Sequence, residues 1–299
     1  MPGSEPAPGW AGRLEKLATL LPPVTVITAT LLWYGYVATR ARFLYFGVYL
    51  DLTDLSNRQL LMYGAETTYP VAALLLLATL AVLGAHLTAR RILASPRPRR
   101  LLPPVAAAAA VGVLLVARAL IGMLQPAVAA TETPGVTPLS LTAGAPLIVY
   151  AAWLARRVAL RDAAPESWFA AGVLVRVERV LVVTAFGVLL IGLLWAATSF
   201  AWGYGTGRAE DESHTLARRP EIVLFTADPL PAVPPGVIHT DLGPAAKPRH
   251  AYRGLRLLLQ SGGRLFLVPA EWTDSASTLV IPYDASIRLQ LLRPSAGGR

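Results

Sequence analysis

Residues 180–202 have the sequence VLVVTAFGVLLIGLLWAATSFAW, an apolar run without a charged residue. Arg176 and Arg179 precede the run, which ends at Trp202. A helix of about 20 apolar residues crosses the hydrocarbon core of a bilayer. After the run the sequence changes to short alternating segments separated by polar turns. The run therefore predicts a boundary between a membrane-embedded part before it and a water-soluble part after it.

The composition of the whole chain indicates the same class of protein. Of the 299 residues 54% are hydrophobic and 15% are charged, whereas soluble domains average about 25% charged residues. The formal net charge is +9, but the basic residues cluster between apolar runs and do not form one face interleaved with aromatic residues. This distribution argues against nucleic-acid binding. The sequence has no cysteine, which excludes disulfides and thiolate metal sites.

Four further apolar segments have the length that a transmembrane helix requires. The first is too long for the apolar region of a signal peptide, and no small-residue cleavage site follows it, so it is predicted to be an uncleaved anchor. Together with the last run, these segments predict five membrane-spanning helices. The five spans are at about 17–38, 69–89, 102–124, 136–155 and 180–202.

The distribution of basic residues predicts the orientation of these spans. Twelve basic residues fall in the short segments on one side of the membrane and three on the other. Because cytoplasmic loops carry the excess of Lys and Arg, the N terminus is predicted to be cytoplasmic and the C terminus extracytoplasmic, in a plasma membrane. The twelve are Arg13, Lys16, Arg90, Arg91, Arg97, Arg99, Arg100, Arg156, Arg157, Arg161, Arg176 and Arg179, and the three are Arg40, Arg42 and Arg58.

Alternation of apolar and polar residues predicts a β-rich domain after the last span. Leu255, Leu257 and Leu259 are predicted to lie on one side of a strand, with Arg256 on the opposite side. A Ser-Gly-Gly sequence between two such segments is typical of a hairpin turn. The predicted strands are 222–226, 237–242, 252–260, 264–268, 279–281 and 286–293, with the turn at 261–263.

The predicted fold is a membrane all-α bundle of five transmembrane helices, followed by a small C-terminal β-rich (α+β) extracytoplasmic domain. Residues 1–16 are predicted to be disordered or interfacial, and 17–202 to form the transmembrane domain. Residues 203–220 are predicted to be a linker whose middle, 208–217, is compatible with a continuation of the fifth helix, and 221–299 the extracytoplasmic domain. Between the first two spans, Ser56 has the residue type and position of a helix N-cap.

Arg118 is the only charged residue predicted to lie well inside a span. An ionisable residue within the membrane is a candidate functional group. The alternative is a structural role, because the long side chain can reach the outer surface and no acidic residue in another span is available to pair with it. In the same span, Ala108 and Gly112 have a spacing that permits close helix packing, either within the chain or between two copies.

No group of residues in the sequence predicts catalysis or cofactor binding. The motifs H-E-x-x-H, G-x-S-x-G and G-x-x-x-x-G-K do not occur. His214, His239, Asp241 and His250 all follow the last span, but their spacing does not match that of zinc motifs, and surface or structural roles are expected for them. We therefore assign no catalytic residue, cofactor or metal from the sequence.

Two parts of the chain are predicted to contact other molecules. The arginines from Arg90 to Arg100 are expected to attract anionic lipid headgroups of the bilayer, at about 1 kcal/mol per basic residue. In the β-rich domain, Tyr252, Arg256 and Trp272 are candidate contacts for an envelope protein or a surface polymer. For Trp272, packing within the small core is the expected role, and an exposed position would make it a contact residue.

Three stretches carry a resemblance to known proteins: YFGVYLDLTDLS at 45–56, YRGLRLLLQSGGRLFLVPAEW at 252–272 and SIRLQL at 286–291. At these stretches the chain resembles uncharacterised multi-pass membrane proteins of high-GC Gram-positive bacteria. The resemblance covers most of the chain and rests on the aromatic-glycine loop and the Ser-Gly-Gly hairpin. It implies the membrane architecture, and it implies no activity, cofactor or site residue.

These observations favour an integral membrane protein that displays a small extracytoplasmic domain for binding. Such a protein is a scaffold, a sensor or an accessory subunit, and not an enzyme. A transporter or channel component is the first alternative, disfavoured because transporters usually contain repeats and several buried charges. A metal-dependent envelope enzyme that uses His239, Asp241 and His250 is the second alternative.

Overall fold

The described part of the chain folds into six α-helices and six β-strands. The computed structural model describes residues 10–160, 168–273 and 275–293. Short 3-10 turns lie at Leu50–Leu52, Pro98–Leu101 and Leu216–Arg218. The helices are α1 (Trp10–Tyr45), α2 (Asn57–Ala94), α3 (Leu102–Leu124), α4 (Pro126–Thr131), α5 (Val136–Ala159) and α6 (Trp168–Thr215).

Four helices in the described residues are long and apolar enough to cross a membrane, and each contains one predicted span. The apolar side chains of α2 point outward: Leu76, Leu80 and Val82 are 68%, 65% and 69% exposed. A continuous apolar exterior is typical of a surface that contacts lipid. The prediction of a largely helical chain with membrane-length helices is confirmed. The four helices extend over Asn57–Ala94, Pro98–Leu124, Val136–Ala159 and Arg176–Arg218.

The chain divides into two compact units, one made of residues 1–68 and 201–299 and the other of residues 69–200. In the second unit α3 packs closely on α5. A Cβ atom on Gly112 would lie 3.1 Å from the Gly144 carbonyl oxygen, and one on Gly144 would lie 3.0 Å from the Gly112 oxygen. Small residues allow two helix backbones to approach in this way. Gly112 thus takes part in packing within the chain, one of the two roles predicted for it.

The strands form one antiparallel sheet in the order β5-β4-β3-β1-β6, in which β2 also pairs with β3. The first half of β3 pairs with β2 and its second half with β4. Gly254 lies where the partner changes. Its φ is +85°, and a Cβ atom there would lie 2.7 Å from the Gly236 oxygen, so this position requires glycine. The strands are β1 (Glu221–Thr226), β2 (Ile238–Asp241), β3 (His250–Ser261), β4 (Arg264–Pro269), β5 (Leu279–Pro282) and β6 (Ile287–Leu292).

Both faces of the sheet carry buried apolar residues. Leu255 and Leu257 belong to one cluster, whereas Leu258 and Leu259 contact the other. A register shift between Leu257 and Leu259 produces this change, because a bulge inserts one residue into the strand. The six predicted strands are confirmed, but the predicted alternation is wrong at Leu259.

One face of the sheet packs on the ends of α1 and α6, which belong to the same unit. Thr278 Oγ1 also donates a hydrogen bond to the Phe46 carbonyl at 2.6 Å. The predicted domain at 221–299 therefore differs from the observed one, because its core includes residues from much earlier in the chain. A sheet must bury its apolar face against another element, and these helix ends provide it. The shared core contains Phe43, Phe46, Val48, Leu50, Ala209, Leu216, Leu258, Phe266 and Val268.

The boundaries of α1 and α6 also differ from the predicted ones. α6 continues to Thr215, so most of the predicted linker at 203–220 is helical. Packing stabilises this extension of the helix, since Ala209 is fully buried in the core shared with the sheet. α1 begins at Trp10, so residues 10–16 of the predicted disordered segment are helical, and residues 1–9 lie outside the described chain.

α2 begins with a capping box. The Ser56 N–H donates to Gln59 Oε1 at 2.9 Å, and the Gln59 N–H donates to Ser56 Oγ at 3.4 Å. Each side chain thereby satisfies a backbone donor that the first helical turn leaves unpaired. The predicted N-cap at Ser56 is confirmed.

Candidate functional site

Two of the three predicted partner contacts, Tyr252 and Arg256, are buried in the protein. Tyr252 is 1% exposed, and its hydroxyl accepts a hydrogen bond from the Leu230 N–H at 2.7 Å. Arg256 is 9% exposed, and its guanidinium donates to the carbonyls of Leu216 and Leu255. These placements correct the expectation that both residues contact a partner. Alternation along a strand reveals its two sides, but it does not reveal that both sides are covered.

Trp272, the third predicted contact, is half-buried. Its ring meets the Phe46 ring edge-on, with centroids 5.0 Å apart. It packs against the core that the sheet shares with the helix ends. Trp272 therefore has the packing role expected for it, and a contact role is not needed to explain its position.

Arg118 has an acidic partner that the sequence did not suggest. Its guanidinium forms an ion pair with Glu132, in the segment after α4, and Thr137 Oγ1 donates to the same carboxylate. Its Nη1 atom is buried and has no hydrogen-bond partner among the described residues. The expectation that Arg118 lacks a partner is corrected, because Glu132 lies outside any span and reaches it from the adjacent segment. This pair gives the charge a structural explanation.

The metal candidates are only partly brought together. His239 Nε2 and His250 Nδ1 lie 3.0 Å apart, and the His239 ring stacks on Tyr252 with centroids 4.7 Å apart. His214 lies at the end of α6. Within the ranges that the structure describes, no group of three His, Asp or Glu side chains is arranged to hold a metal ion. The two histidines form a hydrogen-bonded pair between β2 and β3.

The Asp241 carboxylate is held by its neighbours and does not face the two histidines as a free ligand. Arg249 donates to both of its oxygens, and the Gly243 N–H donates to Oδ1 at 2.8 Å. The hydrogen bonds from Arg249 and Gly243, with the charge of Arg249, lower the pKa of Asp241 well below its usual value. An ion pair of this kind stabilises the edge of the sheet and competes with metal binding.

A polar cavity of about 120 Å³ lies between three helices of the first unit. A volume of this size accommodates about four water molecules. Its walls combine guanidinium, carboxylate, phenol and hydroxyl groups, which is unusual so close to membrane-length helices. The lining residues are Ala38, Thr39 and Arg42 of α1, Tyr63, Glu66 and Thr67 of α2, and Tyr204, Gly205 and Arg208 of α6.

Glycines draw these three helices together around the cavity. A Cβ atom on Gly35 would lie 1.9 Å from the Leu60 oxygen, and Gly64 approaches the backbone of α1 equally closely. A Cβ atom on Gly205 would lie 2.1 Å from the Ala38 oxygen. No side chain fits at such distances, so these glycines permit close contacts of α1 with α2 and with α6.

A buried carboxylate organises the charges on one side of the cavity. Glu212 accepts two hydrogen bonds from Arg42, from Nε at 2.7 Å and from Nη2 at 3.0 Å, and it also pairs with Arg219. The side chain of Glu212 is 5% exposed. Burial opposes the charge of Arg42, but the hydrogen bonds and charge of Glu212 outweigh it and raise the pKa of Arg42. A buried ion is tolerated only when it is paired in this way.

A second carboxylate, Glu66, lies on the opposite wall. The Tyr204 hydroxyl donates to Glu66 Oε1 at 2.9 Å, and Arg208 Nη2 lies 3.5 Å from the same oxygen. The side chains of Glu66 and Arg208 are 48% and 60% exposed. This wall is therefore open to solvent, and a polar molecule can enter the cavity from that side.

Thr39 supplies the cavity with an unpaired polar group. The residue is 2% exposed, and its hydroxyl has no hydrogen-bond partner among the described residues. Buried hydroxyls in folded proteins nearly always have a partner. The cavity is therefore suited to hold water or a small polar molecule that bonds to Thr39.

Sequence patterns do not predict the residues of this cavity as a site. They place Arg42 and Glu66 between the first two predicted spans, and Arg208 in the predicted linker. One signal is present: Gly35 stands in the apolar first span, where glycine often indicates close packing, whereas Gly64 and Gly205 lie in polar stretches outside the predicted spans. The sequence does not show which helices those glycines join.

The chain matches no protein-family model, no curated protein and no solved structure. Its function is therefore inferred from the geometry of its own residues.

Proposed function

We propose that this chain is an integral protein of the plasma membrane that crosses the bilayer five times and presents its sheet on the extracytoplasmic side. The sheet binds an envelope protein or a surface polymer there. The chain then acts as a sensor or an accessory subunit of an envelope assembly. The resemblance to multi-pass membrane proteins of high-GC Gram-positive bacteria agrees with this architecture.

The packing of the loop after α1 on the sheet carries the proposal. Phe46, Val48 and Leu50 share a core with the strands, so this loop and the sheet belong on the same side of the membrane. Four membrane-length helices separate them in the sequence. An even number of crossings returns a chain to the side from which it started. The apolar segment 17–38 within α1 adds the fifth crossing and places the N terminus on the opposite side.

The excess of basic residues supports the orientation. The loops assigned to the cytoplasm hold twelve Lys and Arg residues, against three on the other side. Of those three, Arg42 is neutralised by Glu212 and is part of the packed structure. Arg42 therefore counts little toward a charge imbalance between the two sides.

The contacts between the sheet and the helices favour a sensor or accessory subunit over a loosely tethered domain. Arg42 lines the cavity, Glu212 joins Arg42 to Arg219, and Arg219 Nη1 donates to the Leu257 carbonyl of β3 at 3.2 Å. A partner that prefers one arrangement of β3 also favours one arrangement of the cavity. This chain of contacts is a physical route from the sheet to the helices.

Because Tyr252 and Arg256 are buried, contacts with a partner are assigned to the two outermost strands of the sheet. β5 and β6 are the two ends of the strand order, and Val280 and Leu291 on them are 45% and 65% exposed. The open edge of a strand has backbone groups that can pair with a strand of another protein. These two edges are the proposed binding surface of the sheet.

Single-cysteine labelling tests the topology, because the chain has no cysteine of its own. In intact cells, a membrane-impermeant maleimide is expected to label Asp51→Cys and Tyr283→Cys. Arg100→Cys and Ser4→Cys are expected to react only after permeabilisation. Opposite results for Asp51→Cys and Tyr283→Cys contradict an even number of crossings between the loop and the sheet. Labelling of Ser4→Cys in intact cells contradicts the fifth span.

Site-specific photocrosslinking in native membranes tests the binding role. A photoreactive residue at position 280 or 291 is expected to capture the same envelope component, whereas one at the exposed Arg218 is not. Capture at neither edge strand, in cells where the topology test succeeds, contradicts the proposed binding surface and leaves the membrane architecture intact.

A further inference from the structure

A second hollow, of about 620 Å³, lies in the other unit, between the C-terminal ends of α2 and α5. Its lining contains both basic and apolar residues. Both helices are long and apolar enough to cross a membrane, so the hollow, called the basic groove below, lies at the end of two spans. The basic groove is lined by His86, Arg90, Leu93, Ala94, Trp153, Arg157 and Leu160.

A stack of rings forms one wall of the basic groove. His86 Nδ1 lies 2.9 Å from the Tyr150 hydroxyl oxygen, and the Tyr150 and Trp153 rings stack with centroids 5.8 Å apart and an angle of 19° between their planes. The Arg157 guanidinium lies over Trp153, 5.3 Å from the ring centroid. Hydrogen bonding and stacking hold these side chains in place before any ligand binds.

The two arginines of the basic groove are not neutralised by the protein. Among the described residues, no carboxylate forms an ion pair with Arg90 or Arg157, and both residues are exposed. The neighbouring Arg156, in contrast, pairs with Glu178. The basic groove therefore has two free guanidinium groups on two different helices, where both can act on one anion.

We propose that the basic groove is a binding site for the phosphate-bearing headgroup of an anionic lipid. Arginine binds phosphate through two parallel hydrogen bonds, and two such residues match its charge and geometry. Trp153 has the residue type that collects at the membrane interface, and Leu93 and Leu160 provide apolar surface for the first part of an acyl chain. This combination suits a lipid better than a soluble phosphate, which has no apolar part to bury.

This site differs from a general attraction of lipids to the arginines at 90–100. General attraction depends on the number of charges near the surface and is weakened by salt. The affinity of a defined site, in contrast, falls only when the charges that line the site are removed. The inference requires that α2 and α5 cross the bilayer, but it does not require the proposed orientation or the proposed partner of the sheet.

Titration of the purified full-length chain with lipid, followed by native mass spectrometry, tests the proposal. Phosphatidylglycerol is expected to bind more tightly than phosphatidylcholine. The double variant Arg90→Gln/Arg157→Gln is expected to lose at least about 30-fold in affinity for phosphatidylglycerol, because each arginine supplies a charge-assisted contact to the phosphate. The control Arg97→Gln/Arg100→Gln removes the same charge outside the basic groove; in about 0.5 M ammonium acetate, which screens attraction between exposed charges, it is expected to lose less than about threefold.

Equal losses in the two double variants overturn the proposal, because they indicate attraction to charge alone. Equal binding of the two lipids also overturns it. Displacement of the lipid by millimolar glycerol phosphate would identify a soluble phosphate compound as the occupant and would exclude the lipid. If the groove variant does not fold, the single variants Arg90→Gln and Arg157→Gln, each expected to lose about fivefold, supply the same comparison.

Discussion

Arg42 Nε and Nη2 donate to the two oxygens of Glu212, at 2.7 Å and 3.0 Å, across a sequence separation of 170 residues. The bond joins the C-terminal end of α1 to the last part of α6. Because Glu212 also pairs with Arg219, one carboxylate holds two helices and the segment that enters the sheet. This relationship fixes the position of the sheet on the helix ends.

Replacing Glu212 with Gln is expected to destabilise the chain by about 2–4 kcal/mol. The substitution leaves Arg42 and Arg219 as partly buried charges without a neutralising partner. Thermal unfolding of the detergent-solubilised chain measures the change. Glu210→Gln, an exposed position on the same helix, is the control and is expected to shift the free energy of unfolding by less than about 0.5 kcal/mol. Equal effects of the two substitutions refute the role given to Glu212.

Replacing Gly205 with Ala is expected to cost about 1–3 kcal/mol, because its Cβ atom would lie 2.1 Å from the Ala38 oxygen. At Gly207, two residues later, an added methyl group would meet open space, with no atom within 4 Å. Gly207→Ala is therefore expected to stabilise the helix by up to about 1 kcal/mol. The sign of the change in unfolding midpoint distinguishes the two glycines. A stabilising Gly205→Ala would mean that α1 and α6 are not in close contact.

The Arg118–Glu132 ion pair predicts a coupling that a double-mutant cycle measures. Arg118→Leu and Glu132→Gln are each expected to destabilise the chain, because each leaves one unpaired charge. The double variant is expected to be destabilised by less than the two single variants added together, and the difference is expected to be about 0.5–3 kcal/mol. Additive effects would show that the two side chains do not interact. Loss of solute flux in a fully stable Arg118→Leu variant would instead favour the transport alternative.

Acidification is expected to weaken the edge of the sheet through Asp241. Its pKa is lowered in the folded state from the usual 3.8 by the hydrogen bonds from Arg249 and the Gly243 N–H. The stabilisation is therefore complete above the usual value and is lost as the pH falls through the lowered one. The advantage of the native chain over Asp241→Asn in unfolding midpoint should shrink between about pH 5 and pH 2. Asp228→Asn, at an exposed position, is the control for the loss of one carboxylate.

The elements of the fold can be predicted from the sequence because local patterns determine them. Hydrophobic length predicts the membrane-length helices, alternation predicts the strands, and Ser56 has the residue type and position of a helix start. The bulge at Leu258 is not predictable, since it depends on how β3 pairs with β4. The end of α6 is only partly predictable: residues 208–217 are compatible with a linker and with a continued helix, and packing against the sheet, which buries Ala209, favours the helix.

The candidate site cannot be predicted in this way, because its residues come together only through contacts between distant parts of the chain. Arg42, Glu66 and Arg208 are single charges in separate segments, and no local spacing connects them. Arg118 shows the same limit on a shorter scale: its partner Glu132 lies 14 residues away, beyond the end of the span. Sequence patterns identify helices and strands, whereas the partner of a charge depends on tertiary packing.

The continuous helix between Trp202 and Thr215 determines how far the end of the apolar run lies from the segment that enters the sheet. Thirteen helical steps beyond the last apolar residue correspond to about 20 Å. This length is packed and not free, since Gly205 meets Ala38 of α1 and Ala209 is buried in the core that the sheet shares with the helix ends. An insertion of one residue between Gly205 and Ala209 would turn these two contacts by about 100° relative to each other, so the segment acts as a ruler with a fixed rotation as well as a fixed length.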